Sequence, residues 1–158
     1  AREPLLRDLQ RAAAFLYVGL PAAGATGPLE RGKYLVRSIV GFDPGNGIVA
    51  VAEPIEEGRT ISFTLRDADR ARGDLKDMLG ELSALHGPTA GAALYFNCCA
   101  RGQSLYGIPD IDTAFIKSVF GELPLAGFFG YAELGPVASR NYLHNYSGVL
   151  VLLSDSPA

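Results

Sequence analysis

Residues Ala90–Gly107, AGAALYFNCCARGQSLYG, decide how the chain reads. From Ala90 to Phe96 every residue is apolar, glycine or aromatic, which is the composition of a strand covered on both faces. Asn97, Cys98, Cys99, Ala100, Arg101 and Gly102 follow with no apolar periodicity. Ligands of open α/β sheets collect in the crevice beyond the carboxyl ends of such strands. A second stretch, Leu123–Val137 (LPLAGFFGYAELGPV), follows the same pattern, an apolar strand running into Glu133, Gly135 and Pro136.

Working outward, the two strands flank a helix. Pro109-Asp110 opens it, Ile111, Phe115, Ile116, Val119 and Phe120 supply its apolar face, and Gly121 with Pro124 ends it. A strand–helix–strand passage over residues 90–131 predicts a right-handed parallel crossover. Upstream, Asp67 caps a helix whose stripe is Ala71, Leu75, Met78, Leu82 and Leu85, with Asp69 in its first turn and His86-Gly87-Pro88 as its stop. Tyr34–Phe42 and Ile48–Ala52 surround the turn Pro44-Gly45-Asn46-Gly47 as a hairpin, and Thr60–Leu65 adds a third strand, an antiparallel meander. Residues 4–14 read as an amphipathic helix, Phe15–Leu20 as a short strand, and Tyr142–Leu153 as the last strand. The expected fold is therefore α/β in an α+β-like form. It has a mixed β-sheet with an N-terminal antiparallel meander, one parallel strand–helix–strand crossover and flanking helices.

Composition narrows the function. The 158 residues are 48% hydrophobic and 20% charged, enough for one domain with a real core and too apolar for disorder. A net charge of −3 with scattered Lys and Arg gives nucleic acid no basic footprint. No window approaches the roughly 20 apolar residues of a membrane helix, and the charged opening is no secretory signal. Two adjacent cysteines make no disulfide framework, so reduced thiols in the cytoplasm are the plain reading. Gly127, Gly130 and Gly135 miss the dinucleotide fingerprint, and Gly32-Lys33 lacks a phosphate loop.

Among side chains, Arg101 is built to hold a carboxylate in a bidentate fork, or to form a structural ion pair, for instance with Glu133. Glu133 suits an amino group or the amides of its own turn. Cys98 or Cys99 with His86 or His144 as base would make a thiol enzyme, against the common burial of free Cys as a small hydrophobe. Two adjacent Cys and two distant His match no metal-ligand spacing. Aromatics such as Tyr131 either wall a pocket or fill the sheet.

Read together, these segments resemble the C-terminal half of the FIST family (F-box and intracellular signal transduction proteins). Tyr34-Leu35-Val36-Arg37, the Gly41-Phe42-Asp43 turn and Gly58 fit its early strands. Cys98-Cys99-Ala100-Arg101-Gly102 resembles its C-x-G-R-G, Leu123-Pro124-Leu125-Ala126-Gly127 its P-L-A-G strand, and Glu133-Leu134-Gly135-Pro136 its G-E-I-G-P. Tyr146–Leu150 resembles its closing strand. Ala100 and Ala132 stand where the family pattern has glycine.

The resemblance implies an intracellular sensory domain for a small ligand, with amino acids or small carboxylates as candidates, no cofactor and no metal. Expected partners are the N-terminal half of the same protein and a signalling output domain or protein partner, with no nucleic acid and no membrane. Residues 1–21 would be a helix and joint to that half, and 22–158 the C-terminal-like domain. The candidate ligand site is Asn97, Cys98, Arg101, Gly102, Tyr131, Glu133, Gly135 and Pro136. Charge complementarity places an α-carboxylate on Arg101 and an α-ammonium on Glu133. A protein–protein interaction module without a small ligand is the alternative, and a cysteine enzyme ranks behind it.

Overall fold

A computed structural model describes residues 15–22, 28–86 and 90–154. The helix expected over 4–14 and the Gly87-Pro88 stop lie outside those residues. The chain divides into two compact units, one of residues 1–66 and 136–142, the other of 67–135 and 143–158.

The first unit is built on β1 (Leu16–Pro21), whose residues from Tyr17 onward are buried. So apolar a segment needs a neighbour on each edge. It pairs antiparallel with β2 (Tyr34–Asp43) from Tyr17↔Ser38 to Pro21↔Tyr34, and with β4 (Ser62–Leu65) from Leu16↔Leu65 to Gly19↔Ser62. β3 (Ile48–Val51) continues from β2, giving the order β3-β2-β1-β4. An antiparallel meander is present, formed by β1, β2 and β3. The strand after Arg59 does not extend it beyond β3 but pairs on the far side of β1. In the hairpin turn Asp43 Oδ1 accepts the amides of Gly45 and Asn46 at 3.1 and 3.2 Å, and Gly47 takes φ 68°. Val18, Leu20, Ala22, Leu35 and Val137 form the core of this unit.

The second unit opens with α1 (Ala68–His86), where Asp67 Oδ1 accepts the Arg70 amide at 2.9 Å as the expected cap. Its buried stripe keeps Leu75, Met78 and Leu82 of the expected one, adds Leu79 and loses Leu85. Leu75 and Leu79 are the buried positions, Met78 and Leu82 are half-buried, and Leu85 is 79% exposed. β5 (Ala92–Cys98) lies between β6 (Leu125–Gly130) and β9 (Gly148–Leu153). It runs parallel to β6 from Ala93↔Leu125 to Cys98↔Gly130 and antiparallel to β9. The sheet is therefore mixed, with the expected parallel pair. Two helices connect that pair, a short α2 (Gly102–Tyr106) and α3 (Ile111–Phe120). α2 has too few residues to show a period, and the sequence reading had none there.

Covering of β5 on both faces is not what the structure shows. Ala93, Tyr95 and Asn97 are buried while Ala92, Leu94 and Phe96 are only half-buried. The helices account for this: Leu75, Leu79, Ile116 and Phe120 share one core with Ala93 and Tyr95. Glu133–Val137 and Arg140–His144 are also corrections, since they form a two-stranded ribbon, β7 and β8. Residues 136–142 of that ribbon belong to the first unit. The strand expected over Tyr142–Leu153 is interrupted at Asn145–Ser147, where Tyr146 takes φ 63°.

Backbone contact around Tyr95 is close. A Cβ on Gly127 would overlap the Tyr95 carbonyl oxygen, and one on Gly148 would sit 2.5 Å from the Tyr95 hydroxyl. Gly127→Ala is expected to lower unfolding stability by about 2 kcal/mol or more through overpacking. Gly73→Ala, in open space on α1, should raise it by about 1 kcal/mol through helix propensity. Denaturant melts of the two variants against the parent check both signs.

Candidate functional site

The carboxyl end of β5 is organised by a residue of α3. Asp112 lies in the first turn of α3, one turn before the fully buried Ile116 and two before Phe120, so it faces the sheet. It is 5% exposed, and a carboxylate so placed must be paired and hydrogen-bonded to remain charged. Five hydrogen bonds supply this. Oδ2 accepts from the Tyr95 hydroxyl at 2.8 Å, Asn97 Nδ2 at 3.0 Å and Arg101 Nε at 3.0 Å. Oδ1 accepts from the Tyr106 hydroxyl at 2.7 Å and Arg101 Nη2 at 3.3 Å. Arg101 Nη2 also donates to the Tyr106 hydroxyl at 2.7 Å, and its guanidinium lies 5.8 Å from the centre of that ring. Arg72 of α1 approaches the same ring at 5.2 Å and donates to the Tyr106 carbonyl at 3.3 Å.

Electrostatics follow from this geometry. Burial works against the charge on Asp112, but the bonds and charge of Arg101 and the two tyrosine hydroxyls outweigh it and hold the carboxyl below its ordinary range. Burial likewise opposes the Arg101 charge, and Asp112 more than offsets it, so the guanidinium stays protonated. Burial first and the Asp112 carboxylate second push the Tyr95 phenol up. Burial and then the hydrogen bond to Asp112 do the same for Tyr106.

Arg101 thus pairs with Asp112 and not with Glu133. Its Nη1 makes no hydrogen bond among the described residues. Glu133, at the start of β7, is 4% exposed; Ser147 Oγ donates to its Oε2 at 2.9 Å, while Oε1 has no partner among the described residues. Asn97 is 5% exposed, and its Oδ1 is unpartnered in the same sense. The backbone joins the segments that carry these groups. The Cys98 amide donates to the Ser147 carbonyl at 2.9 Å and the Cys99 amide to the Gly130 carbonyl at 2.8 Å.

The remaining expected residues distribute as follows. Cys98 is buried and Cys99 exposed, both as free thiols. Gly102 takes φ 61° at the start of α2, with the Phe129 ring 3.6 Å from where a Cβ would stand. Gly135 is buried, and its carbonyl contacts His144 Nε2 at 3.0 Å. Tyr131 is exposed, and its carbonyl accepts from Asn145 Nδ2 at 3.0 Å. Pro136 belongs to the first unit. Sequence reasoning missed Asp112, and took Tyr95 and Tyr106 only as aromatics that either wall a pocket or fill the sheet, not as its hydrogen-bond donors. The available signal was Asp112 itself, a charge spaced by four from Ile116 and by eight from Phe120 on an apolar helix stripe.

Asp112→Asn keeps the shape but leaves the Arg101 cation buried without its counter-charge. It is expected to cost about 3 kcal/mol or more of unfolding stability, read by urea melts at neutral pH. Because the folded carboxyl is held below its ordinary range, its contribution is complete above about pH 4 and is lost as pH falls through the folded value. The stability gap between parent and variant should accordingly narrow on acidification.

The model of the FIST C domain matches residues 4–136. An uncharacterized protein of Mycobacterium tuberculosis is 39% identical over 126 residues, covering 79% of this chain and 33% of the relative. One from Mycobacterium bovis is 36% identical over 125 residues, covering 79% and 32%. An F-box/LRR-repeat protein of Arabidopsis thaliana is 28% identical over 116 residues, covering 63% and 22%. The chain therefore spans about a third of the length of the mycobacterial relatives it matches. It belongs to the FIST C domain family, a family of sensory domains in signal transduction.

Proposed function

We propose that this chain is the ligand-sensing part of an intracellular signal-transduction protein, and that it takes a small molecule bearing an amino group at the carboxyl end of the β5–β6 parallel pair. The observation that carries the reading is the pair of buried acceptors, Glu133 Oε1 and Asn97 Oδ1, neither partnered among the described residues. A buried acceptor left unsatisfied costs about 1–3 kcal/mol, so a donor that reaches it gains more than it would at the surface. An ammonium offers several donors and a charge complementary to a carboxylate.

The balance of charge supports the same ligand class. Asp112 compensates Arg101, so the cation does not make this end of the sheet anion-seeking. Arg101 Nη1, outside the bonds to Asp112 and Tyr106, is the donor available to a carboxylate, and an amino acid would use both ends. Cys98, Gly102, Tyr131 and Gly135, all in the second unit, complete the proposed set. No group transfer is assigned to it.

Thermal unfolding against a panel of amino acids, their des-amino carboxylates and simple amines tests the reading. A ligand at one hundred times its dissociation constant adds about 2.7 kcal/mol, a rise of roughly 5–10 °C for a chain of this size. Amino compounds should raise the midpoint, des-amino analogues should not, and Glu133→Gln should abolish the rise while the variant still unfolds cooperatively. A folded parent that no amine stabilises would sink the proposal.

A further inference from the structure

We infer, building on the amino-ligand reading of the site given above, that Phe129 is a specificity-determining residue and that the ligand carries an aromatic ring which lies against it. Phe129 is the register partner of Asn97 across the β5–β6 pair, and partners on neighbouring strands share one face of a sheet. Asn97 projects toward α3, since its Nδ2 donates to Asp112 Oδ2 at 3.0 Å. Phe129 therefore stands on the α3 face, beside a side chain that is 5% exposed and whose Oδ1 has no partner among the described residues. A buried acceptor of this kind is the anchor for a ligand donor. The ring beside it decides what the rest of the ligand meets.

Of the two neighbours of Asn97 across the sheet, only one leaves room. On the β9 side it pairs with Gly148, where a Cβ would stand 2.5 Å from the Tyr95 hydroxyl, so that space is already filled by the tyrosine. On the β6 side it pairs with Phe129, which is 64% exposed. The Phe129 ring is met by the turn after β5: its Cε1 lies 3.6 Å from where a Cβ of Gly102 would stand. Gly102 follows Arg101, whose Nη1 makes no hydrogen bond among the described residues. A ligand whose donor reaches Asn97 Oδ1 is thus bordered on its open side by the exposed ring.

The chemistry of that ring sets the ligand class. An exposed phenyl face is released from water when a substituent covers it, and a flat aromatic substituent covers more of it than an alkyl chain of few carbons does. Two rings also attract each other through their quadrupoles, in offset or edge-to-face arrangements. A substituent that ends at a methyl group gains little of either. Phe128 provides the comparison within the same strand. It is equally exposed at 64%, but it meets the edge of Phe96 at 5.2 Å between ring centres and lies on the opposite face, away from Asn97.

Calorimetric titration with phenylalanine and phenethylamine, against alanine and ethylamine, tests the assignment. The aryl compounds should bind the parent about tenfold or more tightly than their alkyl counterparts. Phe129→Ala should erase that ratio by weakening the aryl compounds while alanine and ethylamine bind as before. Phe128→Ala should preserve it. Should Phe129→Ala fail to unfold cooperatively, Phe129→Leu, which keeps the bulk and lacks the ring, should show the same loss. Amines that bind equally well whatever their substituent would overturn the role of Phe129 and leave the amino-ligand reading standing. Loss of the ratio in Phe128→Ala as well would also overturn it, since the aryl compounds would then be adsorbing to exposed aromatic surface in general. If no amine binds the folded parent, both readings fall together.

Discussion

A carboxylate in the apolar space between a helix and a sheet is expensive to keep charged, and the second unit is arranged around keeping Asp112 so. Its five donors come from three places in the chain: Tyr95 and Asn97 on β5, Arg101 on the turn that follows, and Tyr106 at the end of α2. Removing any one of them strands part of a buried charge, so the network holds as a set. It also sets the path of the backbone. The chain must leave β5, bring Arg101 back over the carboxylate, turn through Gly102 at positive φ and deliver Tyr106 before α3 begins. The turn that follows Cys98 is thereby held by this ion pair together with the hydrogen bond from the Cys99 amide to the Gly130 carbonyl.

This arrangement changes what the end of the sheet can recognise. An arginine beyond a strand suggests an anion site when it is considered alone, but a compensated arginine does not carry a free positive field. The buried polar side-chain atoms without partners among the described residues are both acceptors, one of them on a carboxylate. In the function proposed above, recognition is thereby weighted toward donors. The half of the site that would take a carboxylate is reduced to a single guanidinium nitrogen.

The parts legible in advance were those whose signal is local. The Asp67 cap, the Gly121 stop and the turn over residues 43–47 depend on residues within a few positions of one another. The parallel pairing of β5 and β6 was legible because a helix between two apolar runs leaves few alternatives. β7 was not, because its buried positions are Glu133, Gly135 and Val137 and no apolar alternation marks it. The side of β1 on which β4 pairs was not legible either, since residues 62–65 carry the same alternation wherever they dock. Leu79 took the place of Leu85 in the α1 stripe because the sheet covers only part of that helix face.

By itself the sequence determined the class of fold, the family and the segment that carries the candidate site, since periodicity, turn residues and short motifs depend on spacing along the chain. Only the tertiary structure decided that Arg101 answers Asp112 and not Glu133. It alone left Glu133 Oε1 and Asn97 Oδ1 buried without partners among the described residues, and β6 with an open aromatic edge. The physical reason is that a charge selects its partner by distance and burial. Those are set when α3 packs on β5, eleven residues beyond Arg101 in the case of Asp112, and neither distance nor burial has a signature in linear spacing.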